Sequence, residues 1–328
     1  MSVDLSTKYM GLNLKNPIII GSSGLTENLD NIQKLEKNGA AAVVLKSLFE
    51  EQINMDIDSQ QMNNIFNTYN DVEEYIGFYT KQHSLNNYLK LISDSKANTS
   101  IPIIASINCN AMGEWTSFAK KIESAGADAI ELNIFILPSD DKMYGANIEK
   151  IYFEIISAII SEVKIPVAVK MSHYFSGLAN FAVELSKTGI ASLVLFNRFF
   201  CPDVDILKKK IVSSNLFSAT SDNAMVLRWV GVLSDKVKTD IAATTGINNG
   251  ETLLKNLMVG AKAVQIASVL YQNGFQAIGE MLKTVEKYLV SENYNSLNEI
   301  IGIVSQKNIL HPTIYERAQF MKYFSDSK

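Results

Sequence analysis

Cysteine is nearly absent from this 328-residue chain, which has only Cys109 and Cys201. Two isolated thiols give neither a disulfide framework nor metal-ligand spacing, so no metal is expected and a reducing cytoplasm is the default compartment. An excess of one charge is lacking too. Thirty Lys and Arg stand against 34 Asp and Glu, for a formal net charge of −4. With no basic block or aromatic-interleaved basic stripe, a nucleic-acid partner is not expected. The longest apolar stretches are strand-length and broken by Asp, Glu or Lys, so no membrane span is expected either. Residues 1–15 lack the charged-then-apolar order of a signal peptide and read as a hairpin around Gly11. No Gly-x-Gly-x-x-Gly follows the first strand-like run, which weighs against a dinucleotide-binding open sheet.

What is present is a phrase written four times. Its first half is a short apolar run entered through proline or an acid, at residues 16–20, 101–105, 165–169 and 240–243. Its second half is a glycine, a small or apolar residue and another buried run, starting at Gly39, Gly126, Gly189 and Gly260. Helix-like stretches separate the halves. Continuous apolar runs of this length suit parallel strands covered on both faces, each pair needing a helical crossover. Eight such strands have one common closed solution, the α/β (β/α)8 TIM barrel of roughly 250 residues plus insertions. The chain is therefore expected to be a single barrel domain over residues 1–328. It carries the hairpin at 1–15, insertions at 48–100 and 199–221, and a tail at 311–328. The glycines fall where a helix hands over to a strand and a left-handed residue is needed.

Barrel active sites are built at the carboxyl ends of the strands. Those ends read Ser22-Ser23-Gly24, Lys46-Ser47, Asn108-Cys109-Asn110, Asn133, Lys170, Asn197-Arg198, Thr244-Thr245-Gly246 and Ala267-Ser268. Amides, hydroxyls and ammonium groups at the ends of apolar strands describe a polar pocket. Lys46 and Lys170 are its sharpest members, although a lysine at a barrel mouth also reads as a snorkelling surface residue. Small residues after strands seven and eight let backbone N–H groups approach an anion, so a phosphate is expected there.

These motifs resemble the FMN-dependent dihydroorotate dehydrogenases, in particular class 1 and the dihydroorotate dehydrogenase-like proteins. The resemblance runs from Leu12-Lys15-Asn16-Pro17 through Ser22-Ser23-Gly24, Leu45-Lys46-Ser47, Glu131-Leu132-Asn133, Val169-Lys170, Thr245-Gly246-Ile247 and Gln265-Ile266-Ala267-Ser268. It implies an FMN oxidoreductase acting on a CH–CH bond, of the kind used in pyrimidine biosynthesis, and a homodimer. Ser22, Ser23 and Gly24 would lie along the flavin, with Lys46 and Ser47 between flavin and substrate. Asn133 would hydrogen-bond flavin or substrate, Lys170 would face the pyrimidine edge of the ring, and Asn197 would flank a small anionic substrate. Thr245, Gly246, Ala267 and Ser268 would hold the phosphate. The catalytic set is then Lys46, Asn133 and Lys170.

Two departures stand out. Class 1 members place a cysteine base shortly after the Glu-Leu-Asn motif, where this chain reads Ile134-Phe135-Ile136-Leu137-Pro138. The family's asparagine- and glycine-rich substrate loop is replaced by Tyr75-Ile76-Gly77-Phe78-Tyr79-Thr80. Candidate replacement bases are Cys109, His173, Tyr144 and Cys201, each of which also reads as a filler or loop residue. Arg198 reads as a receptor for an anionic group or as an ion-pair partner of Asp203 or Asp205. Two other functions fit the same residues: a phosphate-binding lyase or synthase with Lys170 forming an imine, and a flavin-binding protein without turnover.

Overall fold

The computed structural model describes residues 3–49, 70–108 and 112–317. Eight parallel strands form its centre: β3 (Ile18–Ile20), β4 (Ala42–Val44), β6 (Ile103–Asn108), β7 (Ala129–Asn133), β8 (Val167–Met171), β9 (Ser192–Leu195), β12 (Asp240–Thr244) and β13 (Ala263–Ile266). Around the ring the order is β4, β3, β13, β12, β9, β8, β7, β6. Pairing of Val43 with Ile103 and Val44 with Ile104 closes it. A short β5 (Leu48–Phe49) runs beside the end of β6. The expected TIM barrel is therefore observed.

The crossovers are helices, several with one apolar face. In the Gly145–Ile160 helix the buried residues are Ile148, Tyr152, Ile155, Ile156 and Ile159, a stripe at helical spacing against the sheet. The four repeat glycines all have left-handed backbones, with φ of 107° at Gly39, 94° at Gly126, 98° at Gly189 and 123° at Gly260. A β-branched residue there would be strained, which is why the repeat keeps glycine.

Strand periodicity divides the core in two. Ile18, Ile20, Val43, Ile103, Ala105, Ile130, Val169, Leu193 and Val264 face the helices. Ile19, Ala42, Val44, Ile104, Ala129, Ala168, Val194, Ala242 and Ala263 face the barrel axis. Alanine dominates this inner layer because little width remains along the axis. Its amino-terminal end is plugged by Tyr9, Met10 and Leu14. These come from the expected hairpin, β1 (Thr7–Tyr9) and β2 (Leu12–Leu14), which turns through Met10 and Gly11 with φ of 53° and 79°. The Met10 N–H donates to Asp240 at 2.8 Å and the Thr7 hydroxyl donates to the Lys262 carbonyl at 3.0 Å, fixing the plug to β12 and β13.

The expected insertions begin after β4 and after β9, and residues 50–69 of the first lie outside the described residues. The second is an exposed antiparallel hairpin, β10 (Pro202–Asp205) and β11 (Lys210–Ser213). The described part of the first, after Phe49, is a single long helix, Asn70–Asn98. Its Tyr88 hydroxyl donates to the Ser106 carbonyl at 3.0 Å, tying the helix to β6. Among the described residues no helix is long and apolar enough to cross a membrane.

Candidate active site

Side chains two residues apart on a strand share a face. Stepping two residues from the inner apolar layer therefore shows what stands above it. Ile104 leads to Ser106, Ala129 to Glu131 and then Asn133, Ala168 to Lys170, Ala242 to Thr244, and Ala263 to Gln265. One pleat converts an alanine plug into a polar layer. That layer borders a cavity of about 330 Å³ at the carboxyl ends of the strands.

Two hydrogen-bonded groups organise the layer. In the first, Lys170 Nζ donates to Gln265 Oε1 at 3.1 Å, and Gln265 Nε2 in turn donates to Glu131 Oε2. Glu131 Oε1 lies 3.5 Å from Lys170 Nζ and accepts no hydrogen bond, although Glu131 is 1% exposed. In the second, Asn197 Nδ2 donates to Asn133 Oδ1 at 2.6 Å, and Asn133 Nδ2 donates to Ser47 Oγ at 3.4 Å. Ser47 Oγ also meets Ser106 Oγ at 2.7 Å and Ser22 Oγ at 3.0 Å. The amides are thus oriented before any ligand arrives.

The rim on the β12 and β13 side is made for close approach. Thr245 and Gly246 are consecutive left-handed residues, with φ of 80° and 74°. Thr245 pins itself by donating its hydroxyl to the Phe196 carbonyl at 3.2 Å. A Cβ on Gly246 would fall 2.6 Å from the backbone nitrogen of Asn223, the first residue of the Asn223–Leu233 helix, and 2.7 Å from the Ala219 carbonyl oxygen. Ser268 Oγ accepts from both the N–H and the hydroxyl of Ser218, at 3.1 and 3.2 Å, drawing the loop after β9 onto the end of β13. Left-handed non-glycine backbone concentrates at ligand sites because surrounding contacts must hold it there.

All twelve residues expected at the site, Ser22, Ser23, Gly24, Lys46, Ser47, Asn133, Lys170, Asn197, Thr245, Gly246, Ala267 and Ser268, line this cavity. Lys46 sits at its edge, ion-paired with Glu27 at 2.7 Å and partly exposed. None of the described candidate bases lines it. Tyr144 precedes the Gly145–Ile160 helix and is exposed. His173 and Cys201 lie in a neighbouring cavity of about 380 Å³ walled by Phe196, Phe199 and Phe200. Burial lowers the His173 pKa, its Nδ1 has no hydrogen-bond partner, and its ring packs on Tyr174. Cys109, Asn110 and most of the first insertion's loop lie outside the described residues, as do the side chains of residues 75–80.

Arg198 corrects one of its two readings, the ion pair with Asp203 or Asp205. Its guanidinium donates to the Asn215 and Leu216 carbonyls at 2.8 and 3.0 Å and pairs with Asp222 at 3.7 Å, not with Asp203 or Asp205. Those contacts tie the loop after β11 to the β9 end and use two of the five guanidinium N–H donors, and Arg198 also lines the candidate cavity. In the sequence Glu131 and Gln265 stand only as members of the family motifs, without a role at the site, and Ser106 and Ser218 are not singled out. The first two had a signal, being the polar interruptions in otherwise apolar strands, in phase with an inner alanine.

A sequence profile described as dihydroorotate dehydrogenase matches residues 4–289. This chain belongs to the dihydroorotate dehydrogenase family. Similar proteins include two catalytic subunits of dihydroorotate dehydrogenase B (NAD(+)). The one from Thermoplasma volcanium is 28% identical over 312 residues, covering 93% of this chain and 99% of its own. The one from Methanocaldococcus jannaschii is 29% identical over 315 residues, covering 92% and 98%. A putative dihydroorotate dehydrogenase A (fumarate) from Aeropyrum pernix is 29% identical over 221 residues, covering 65% of this chain and 71% of its own. Like its dihydroorotate dehydrogenase relatives, the chain is an oxidoreductase of the type that acts on a CH–CH bond.

Proposed function

We propose that this family member is a cytoplasmic FMN enzyme that exchanges a hydride between flavin N5 and a small anionic substrate other than dihydroorotate. The observation that carries the FMN assignment is the Gly246 cradle standing beside the polar layer. Without a Cβ, Gly246 packs directly onto the start of the Asn223–Leu233 helix, and a phosphate seeks backbone amides beside a helix N-terminus. The donor set suits the rest of FMN. When bound, FMN supplies the two-electron acceptor, and its ring gains negative charge on reduction.

In this reading Thr245, Gly246, Ala267 and Ser268 hold the phosphate, and Ser22, Ser23, Gly24 and Ser47 lie along the ring. Lys170 presents its ammonium to the edge that becomes negative, where a fixed charge in a water-poor site is most effective. Asn133, oriented by Asn197 and Ser47, positions ring and substrate, and Lys46 at the cavity edge meets the substrate's anionic group. The imine-forming lyase reading needs an unprotonated amine, whereas Lys170 is held in an ion pair with Glu131.

The substrate side differs from a dihydroorotate site. After Asn133 the chain buries Ile134 and stacks Phe135 on Phe199 with centroids 4.0 Å apart, leaving no proton acceptor in residues 134–138. A positioned general base is worth about a hundred- to ten-thousand-fold. Anaerobic mixing of the yellow protein with dihydroorotate should therefore bleach the flavin at least about a hundredfold more slowly than a family member with its base. A screen of other dihydro-heterocycles and small unsaturated acids should find a faster reactant. Bleaching by dihydroorotate at ordinary enzyme rates would overturn the substrate assignment, and bleaching by none of them would favour a flavoprotein without turnover.

The second insertion supports the homodimer. Leu207 and Ile206 are 94% and 82% exposed on the β10–β11 hairpin, with Val204 and Ile211 also outward. A clustered apolar surface of this kind marks an association face. Sedimentation should show a dimer for the wild type and a monomer for Leu207→Asp. A monomeric wild type would remove the dimer from the proposal.

A further inference from the structure

The polar layer contains one charge that the FMN reading does not use. Glu131 is on β7, 1% exposed, inside a barrel whose remaining inner face is mostly alanine and valine. Among the described residues its carboxylate accepts one hydrogen bond, from Gln265, and its second oxygen faces Lys170 at 3.5 Å without a hydrogen bond. A carboxylate in such a place is costly unless it is paired. If its role were only to fill space, alanine or valine would serve, as at the inward positions 129, 168, 194 and 263.

The geometry supplies a different role. Gln265 cannot reverse its amide: Oε1 must face the Lys170 donor and Nε2 must face the carboxylate, which accepts only. Glu131 therefore fixes Gln265, and the two together hold the Lys170 ammonium from its buried side. Lys170 keeps a donor for the cavity, which it lines. The carboxylate also cancels part of the field that the ammonium sends into that cavity, because opposite charges at this separation in a poorly solvated site offset one another.

We propose that Glu131 is a positioning residue that acts through Lys170: a buried counter-ion that sets how much positive charge the ring edge of bound FMN experiences. The proposal rests on the FMN reading above. Removing the carboxylate frees the ammonium to approach the ring and leaves its field uncompensated, so a ring that becomes negative is favoured. Removing Lys170 first has another consequence. Because Glu131 acts on the ring through the ammonium it holds, further neutralisation of Glu131 then changes little.

The test uses the full chain with FMN bound and two readouts independent of turnover: the flavin reduction potential, and the affinity for sulfite. Sulfite adds through sulfur to flavin N5 and leaves the ring anionic. Glu131→Gln, which keeps shape and can still accept from Gln265, should shift the potential to more positive values and tighten sulfite binding about tenfold. Lys170→Met should do the reverse, and adding Glu131→Gln to Lys170→Met should leave both readouts close to those of Lys170→Met alone. Glu131→Met offers a second route if the glutamine variant folds poorly, with the same expected direction. An unchanged potential and sulfite affinity in Glu131→Gln, with FMN bound and Lys170→Met shifted, overturns this inference while leaving the FMN assignment standing. So does an equal effect of Glu131→Gln in the presence and absence of Lys170. Failure of the wild type to bind FMN overturns both.

Discussion

Gly246→Val should lower FMN affinity by at least about a hundredfold, the equivalent of about 2.7 kcal/mol. Two causes act together. The residue has φ of 74°, which a β-branched side chain rarely adopts. Its Cβ would also enter space 2.6 Å from the Asn223 nitrogen and 2.7 Å from the Ala219 oxygen, both of them backbone atoms that cannot rotate away. The end of β12 must then retreat from the Asn223–Leu233 helix, and the proposed phosphate contacts retreat with it. Fluorescence titration with FMN reads the loss, and circular dichroism with a thermal melt shows whether the fold survives. Gly246→Ala should move affinity the same way by less. Thr245→Gly provides the contrast: it relieves a left-handed non-glycine residue while removing only the hydroxyl bond to Phe196. Normal FMN binding by folded Gly246→Val would place the phosphate elsewhere.

Lys170→Met should leave FMN bound through its phosphate while slowing flavin reduction about a hundred- to a thousandfold, the range for losing one preorganised donor at a developing charge. The reduction potential should fall in parallel, because the ammonium favours the reduced ring more than the oxidised one. Rapid-mixing kinetics with the best reductant from the screen measures the rate. Equilibrium titration against a reference dye measures the potential. A rate loss with an unchanged potential would mean that Lys170 contacts substrate and not the ring.

The barrel was legible because its signals are local. A proline or acid opens four of the runs and a glycine precedes the other four, while apolar strands without alternation follow from burial on both faces. The site was legible at the strand ends, where polarity changes abruptly after an apolar run. Inside the strands it was harder to see. Glu131 and Gln265 are 134 positions apart, and only closure of the ring brings β7 and β13 side chains together across the axis. Arg198 shows the opposite difficulty. Its nearest acids in sequence, Asp203 and Asp205, fall on the exposed hairpin, while the chain returns to bring Asp222 and two carbonyls to the guanidinium. His173 and Cys201 follow strand ends as a base should, yet both turn into the neighbouring aromatic cavity. Proximity to a strand end specifies a face of the barrel, not which side of the β9 backbone a side chain occupies.

The most direct measurement is a paired titration of the flavin-free full chain with FMN and with riboflavin, which lacks the phosphate. One FMN per chain is expected, bound at least about a hundredfold more tightly than riboflavin, since charge-assisted bonds to the phosphate dominate the anchor. Absence of FMN binding, or equal affinity for the two, would contradict a flavin site built on the Gly246 cradle.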